Sequence, residues 1–207
     1  MKRLVVAVIA VFVASTALAA SGEKLVVPAY PAQVAWKKIT DKGDTQQHLR
    51  EWIPSDQSEA DIHDILTEQV FYAAKGSAPA LLVDSVLNSA TQACQRVRVN
   101  GPTRQTENGY RVAYAQIYCA HQKGTPLDVD ILLKAISGRD AMYVVQREFR
   151  RPMEAGGMPG VMAFSQERMP DMKARMAAID IADKFLATAV QLCPPDEPRC
   201  PANPTPD

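Results

Sequence analysis

The chain has little of most things that would betray a chemistry. It holds three histidines, His48, His63 and His121, and no H-E-x-x-H pair, so neither the usual zinc set nor a converging iron site is spelled out. No G-x-S-x-G elbow occurs, and Ser137-Gly138 reads as a hairpin turn. The glycine cluster Gly156-Gly157-Met158-Pro159-Gly160 lacks a strand before it and a helix directly after it, so it is no phosphate cradle. Charge of one sign is also lacking: 23 basic and 23 acidic side chains cancel. Nucleic-acid binding needs a basic excess and is excluded as an expectation. These absences leave catalytic, metal and cofactor residues unassigned.

What is present begins at the amino terminus. Lys2-Arg3 precedes an uncharged run from Leu4 to Ala14, and Ala17-Leu18-Ala19 follows with small residues where a signal peptidase needs them. This order predicts a secretory signal peptide over 1–19. The run falls well short of the ~20 residues that span a bilayer, so no integral span is expected after cleavage. The predicted destination is the periplasm or the extracellular space.

Four cysteines follow, Cys94, Cys119, Cys193 and Cys200. In an oxidising compartment they read as two disulfides, with three connectivities open. Cys94 ends a predicted helix and Cys119 lies near the end of a long predicted strand, which favours Cys94–Cys119 and, with it, Cys193–Cys200. Closing the first loop is worth about 3–4 kcal/mol in the chain-entropy model. Bridging also removes Cys119 as a thiolate nucleophile beside His121.

Periodicity supplies the elements. Residues 20–33 read as an extended lead-in. Strands are predicted over 34–40 and 46–53, joined by a turn at Asp41-Lys42-Gly43-Asp44. Ser58 opens a predicted helix that ends at Lys75-Gly76, with Ile62, Ile65, Leu66 and Val70 on one face and Asp61, Asp64 and Glu68 in water. On that helix His63 and its acidic neighbours point apart. Pro79 starts a second helix with the stripe Leu82, Val83, Val86, Leu87, Ala90 and Cys94. From Arg96 the period becomes two, and strands are predicted over 96–99, 110–119, 129–136 and 141–149. A final helix follows Pro170, its apolar face formed by Met172, Met176, Ile179, Ala182, Leu186, Val190 and Cys193. Residues 194–207 form a proline-rich tail.

The expectation is one α+β domain over 34–193: an antiparallel sheet of about 5–6 strands, two central helices and a carboxy-terminal helix. With the Trp52-Ile53-Pro54 strand end followed by a helix, this order resembles the small extracytoplasmic α/β/α sandwiches of the Mog1/PsbP-like type. That resemblance implies a fold and no activity.

One uneven feature points toward function. Six of the eight methionines, Met153, Met158, Met162, Met169, Met172 and Met176, fall within a short stretch, the first half of it glycine-rich and without period. Segment 151–170 also carries Val161 and Phe164, and Arg147, Arg150 and Arg151 lead into it. Adaptable apolar thioethers suit contact with another protein, and an envelope partner bound through Met153, Met158, Met162, Phe164, Arg150 and Arg151 is the leading expectation. Two alternatives stand beside it: an enzyme of unrecognised type with a cleft between sheet and helices, and a Cu(I)-binding protein using the soft sulfurs.

Overall fold

The computed structural model describes residues 22–30, 35–152 and 169–195. The signal segment, most of 151–170, Cys200 and all but the start of the proline-rich tail lie outside the described residues. Strands β1 (Lys24–Val26), β2 (Trp36–Gly43), β3 (Gln47–Pro54) and β4 (Asp64–Phe71) precede helix α1 (Pro79–Ala93). Strands β5 (Cys94–Glu107), β6 (Tyr110–Gln122), β7 (Leu127–Ser137) and β8 (Met142–Pro152) form a meander. Helix α2 (Met169–Lys184) runs into a π-helical turn at Phe185–Ala189, and β9 (Gln191–Cys193) ends the fold.

Seven strands form one antiparallel sheet in the order β2-β3-β4-β8-β7-β6-β5, and β1 pairs with β9 in a separate ribbon. The α+β reading holds, with seven strands rather than five or six. Alternation along the meander sends Ala113, Ala115, Ile117, Val129, Leu133 and Val144 to one face, under α1. It sends Val112, Leu132, Ile136 and Val145 to the other, under Ala182, Phe185 and Leu186. Strand β7 is buried along nearly its whole length because both faces are covered.

The same two-sided burial explains the main correction. Residues 64–71 are a strand, not the second half of a helix begun at Ser58, so one central helix remains instead of two. Adjacent Ile65 and Leu66 are both buried, on opposite faces of the sheet, and with Val70 they imitate helical spacing. The β-branched Ile65, Thr67 and Val70 favour the extended form. His63 and Asp61 precede this strand, with His63 Nε2 3.0 Å from Asp61 Oδ1. Because turns and a strand follow Trp52-Ile53-Pro54, the feature that carried the Mog1/PsbP-like resemblance is absent. Helix α1 forms as its proline start and apolar stripe require, with Val83 fully buried. On α2 the predicted face shifts: Met176 is 63% exposed and Phe185 is buried in its place.

The lead-in is tied down. Glu23 accepts hydrogen bonds from the amides of Arg139 and Asp140, at 2.9 and 2.8 Å, and from the Tyr143 hydroxyl at 3.1 Å. Gly138 makes room for that carboxylate, since a Cβ there would stand 2.3 Å from Glu23 Oε1.

Cys94 and Cys119 are bridged with Cα atoms 5.5 Å apart, joining the α1–β5 junction to β6. Cys193 is also disulfide-bonded; the predicted pairing with Cys200 falls outside the described residues.

Lys134 projects from β7 beneath α2 and is 1% exposed. Its ammonium reaches Glu107 Oε2 at 2.6 Å and donates to the carbonyls of Val190 at 2.8 Å and Ala187 at 3.4 Å. Burial pushes its pKa down while Glu107 pulls it up. Lys134→Ala leaves Glu107 and two carbonyls unanswered and is expected to cost about 3 kcal/mol or more in urea unfolding. The joint replacement Lys134→Met with Glu107→Leu is expected to recover most of that loss. A loss below about 1 kcal/mol in the single variant would show that the pair contributes little.

Candidate functional site

Helix α2 meets β6 through Asp183, which bonds Tyr114 and Gln116, and β7 through Arg175, which bonds Asp130, and a groove is left toward the edge strand β5. The groove is built from alternate residues of neighbouring strands: Arg98 and Asn100 from β5, Gln116 and Tyr118 from β6, and Asp130 from β7. Ile179 of α2 forms the opposite wall. Its inner hollow measures about 100 Å³, and a second hollow of about 230 Å³ opens beside Arg96, Arg98, Tyr118 and Ala120.

Asp130 organises the inner end. Its side chain is 8% exposed and takes Arg151 of β8 at 2.7 Å and Arg175 of α2 at 2.8 Å. Arg175 also lies over the Tyr118 ring, 5.1 Å from its centroid. Asp128 accepts the His121 amide at 2.8 Å and the Tyr118 hydroxyl at 3.3 Å. Burial and the Asp128 charge raise the Tyr118 pKa. Tyr114 bonds Asp183 of α2, and its own pKa is pushed up by burial and by that carboxylate.

The arginines named from sequence are therefore mostly committed within the fold. Arg150 Nε sits 2.5 Å from Glu148 Oε1, and Arg151 holds Asp130. Met153, Met158, Met162 and Phe164 lie outside the described residues. Arg147, which also leads toward that segment, is 2% exposed and pairs with Asp64. Its guanidinium stacks 3.9 Å from the Tyr30 centroid and 4.1 Å from that of Trp36, with Phe149 at 5.1 Å. Sequence reasoning missed this cage because it joins Tyr30 and Trp36 to β4 and β8. The signal that could have found it is an arginine in phase with the buried Tyr143 and Val145 and the partly buried Phe149.

The histidines stay separate: His48 meets Asp41 at 2.7 Å, His63 meets Asp61, and His121 meets Gln95. Among the described residues no three His, Cys, Asp or Glu side chains gather to hold a metal ion. No described helix is long and apolar enough to cross a membrane.

Asp64 supplies a pH handle. Burial pushes its carboxyl up to about 6, even though Arg147 pulls the other way. The folded pKa stands above the unfolded one, so this group's stabilising proton uptake is complete below about pH 4 and is lost as pH rises through about 6. Carboxyl ¹³C titration is expected to give Asp64 a midpoint near 6. A midpoint near 4 would show that Arg147, not burial, dominates the site.

No protein-family model matches the chain, and no curated protein matches it. Among solved structures it is similar to LpqN, a protein involved in cell envelope biogenesis of Mycobacterium tuberculosis, with 11% identity and a TM-score of 0.37. That alignment covers 83% of this chain and 91% of LpqN.

Proposed function

We propose that the chain is an exported protein of the cell envelope or extracellular space that works by binding a protein partner through segment 151–170. The observation that carries this reading is the double ion pair at Asp130. Arg151, where β8 ends, and Arg175, early in α2, hold the same carboxylate. Both ends of the methionine-rich segment are thereby anchored beside the groove of Arg98, Asn100, Gln116 and Tyr118. A rigid frame that fixes both ends of an apolar segment lowers the ordering cost of binding.

Further support comes from Met176, whose thioether is exposed on the first half of α2 and would extend an apolar contact surface. The Cys94–Cys119 disulfide fits folding in an oxidising compartment, as the signal-like amino terminus requires.

The experiment is the double variant Met158→Ser and Met162→Ser. Thermal stability is expected to stay within about 0.5 kcal/mol of wild type, while a partner captured by wild-type protein from native envelope extract is no longer retained. A clear loss of stability with capture unchanged would overturn the reading, because those residues would then be core. Loss of Cu(I) affinity with unchanged capture would favour a thioether metal site instead.

A further inference from the structure

Strand β5 closes the large sheet on one side, with β6 as its inner neighbour. The β5–β6 hairpin turns at Asn108-Gly109, both at positive φ, 50° and 81°. A two-residue turn of this kind makes the flanking pair, Glu107 and Tyr110, a hydrogen-bonded one. Every second residue of β6 from Tyr110 then turns its N–H and C=O toward β5. Beyond the irregularity between Asn100 and Thr103, those β6 residues are Gln116, Tyr118 and Ala120, and they face Asn100, Arg98 and Arg96. Arg96 and Arg98 therefore bond inward. Gln95, Val97 and Val99 turn their backbone groups outward, to an edge that no described strand pairs.

The side chains along this stretch alternate in chemistry. Arg96 and Arg98 are exposed on the face that carries Tyr118, and neither forms an ion pair among the described residues. On the opposite face Val97 is half-buried and Val99 is 39% exposed. A second copy of the same edge would set arginine against arginine, which disfavours self-pairing. A strand with carboxylates at alternate positions would be matched at each of them.

We propose that Gln95–Val99 of β5 is a strand-addition site for an extended acidic segment of a partner chain. The added strand exchanges backbone hydrogen bonds with Gln95, Val97 and Val99. Its carboxylates stand opposite Arg96 and Arg98, and its intervening apolar side chains lie beside Val97 and Val99. The Gly101–Pro102 irregularity ends the site, because the ladder shifts register there. This site is independent of the 151–170 reading, and either can fail alone.

A short labelled probe, Thr-Glu-Val-Glu-Val-Glu-Thr, tests it on the purified chain with its disulfides intact. Anisotropy is expected to show binding at low salt that weakens at least about tenfold with Arg96→Glu and Arg98→Glu together. The same double variant should bind a probe carrying Lys in place of Glu. A probe N-methylated on the edge-facing amides should not bind wild type, and the unmodified probe should slow amide exchange at Val97 and Val99. Equal binding of the methylated probe would overturn the proposal, because charge alone would then account for it. No binding of any probe would overturn it too, leaving the arginines as guards against edge-to-edge association. Amide exchange on wild-type protein decides the matter even if the double variant misfolds.

Discussion

Everything on the α2 side of the sheet answers to one constraint: that face carries buried charges, and each needs a partner supplied by another element. Asp128, Asp130, Lys134 and Arg147 are all less than a tenth exposed. An apolar helix laid over them would leave costly unpaired groups. Instead Arg175 answers Asp130 near the start of α2, and the carbonyls of Ala187 and Val190 answer Lys134 near its end. Between these two points the register of the helix on the sheet is set. Full apolar burial begins late, at Ala182, Phe185 and Leu186, with Ile179 partly buried before them, so among the described residues the first half of α2 is held chiefly by charge.

That arrangement gives the groove its shape. With Arg151 and Arg175 turned inward to Asp130, the helix reaches Tyr118 through Arg175 and, among the described residues, leaves Arg96 and Arg98 exposed. The Cys94–Cys119 bridge stiffens the other side by tying the start of β5 to β6. A firm frame with an open margin suits binding, because little order need be gained on contact.

Much of the fold was legible where turn residues bound the elements. The meander from Tyr110 to Phe149 was readable although both of its faces are covered, because Asn108-Gly109, Lys123-Gly124 and Ser137-Gly138 punctuate its strands. Helix α1 announced itself by Pro79 and its stripe. The misreading of 58–76 arose where both faces are covered, because Ile65, Leu66 and Val70 then carry no period-two signal. Met176 was misplaced for a related reason: the first half of α2 is docked by Arg175, and no apolar pattern records an ion pair. The Arg147 cage and the Asp130 node join residues remote in sequence, and arginine at a strand end reads as solvated until its neighbours are known. The open edge of β5 needed only the hairpin turn and strand order, and the order is a tertiary fact.

The central claim is that charge, rather than apolar contact, docks the first half of α2. Amide hydrogen exchange across α2 in wild type and Asp130→Asn measures this most directly. The account predicts that exchange accelerates over 172–178 in the variant while 182–190 stays protected by Phe185, Leu186 and Lys134. Unchanged protection over 172–178 would contradict it.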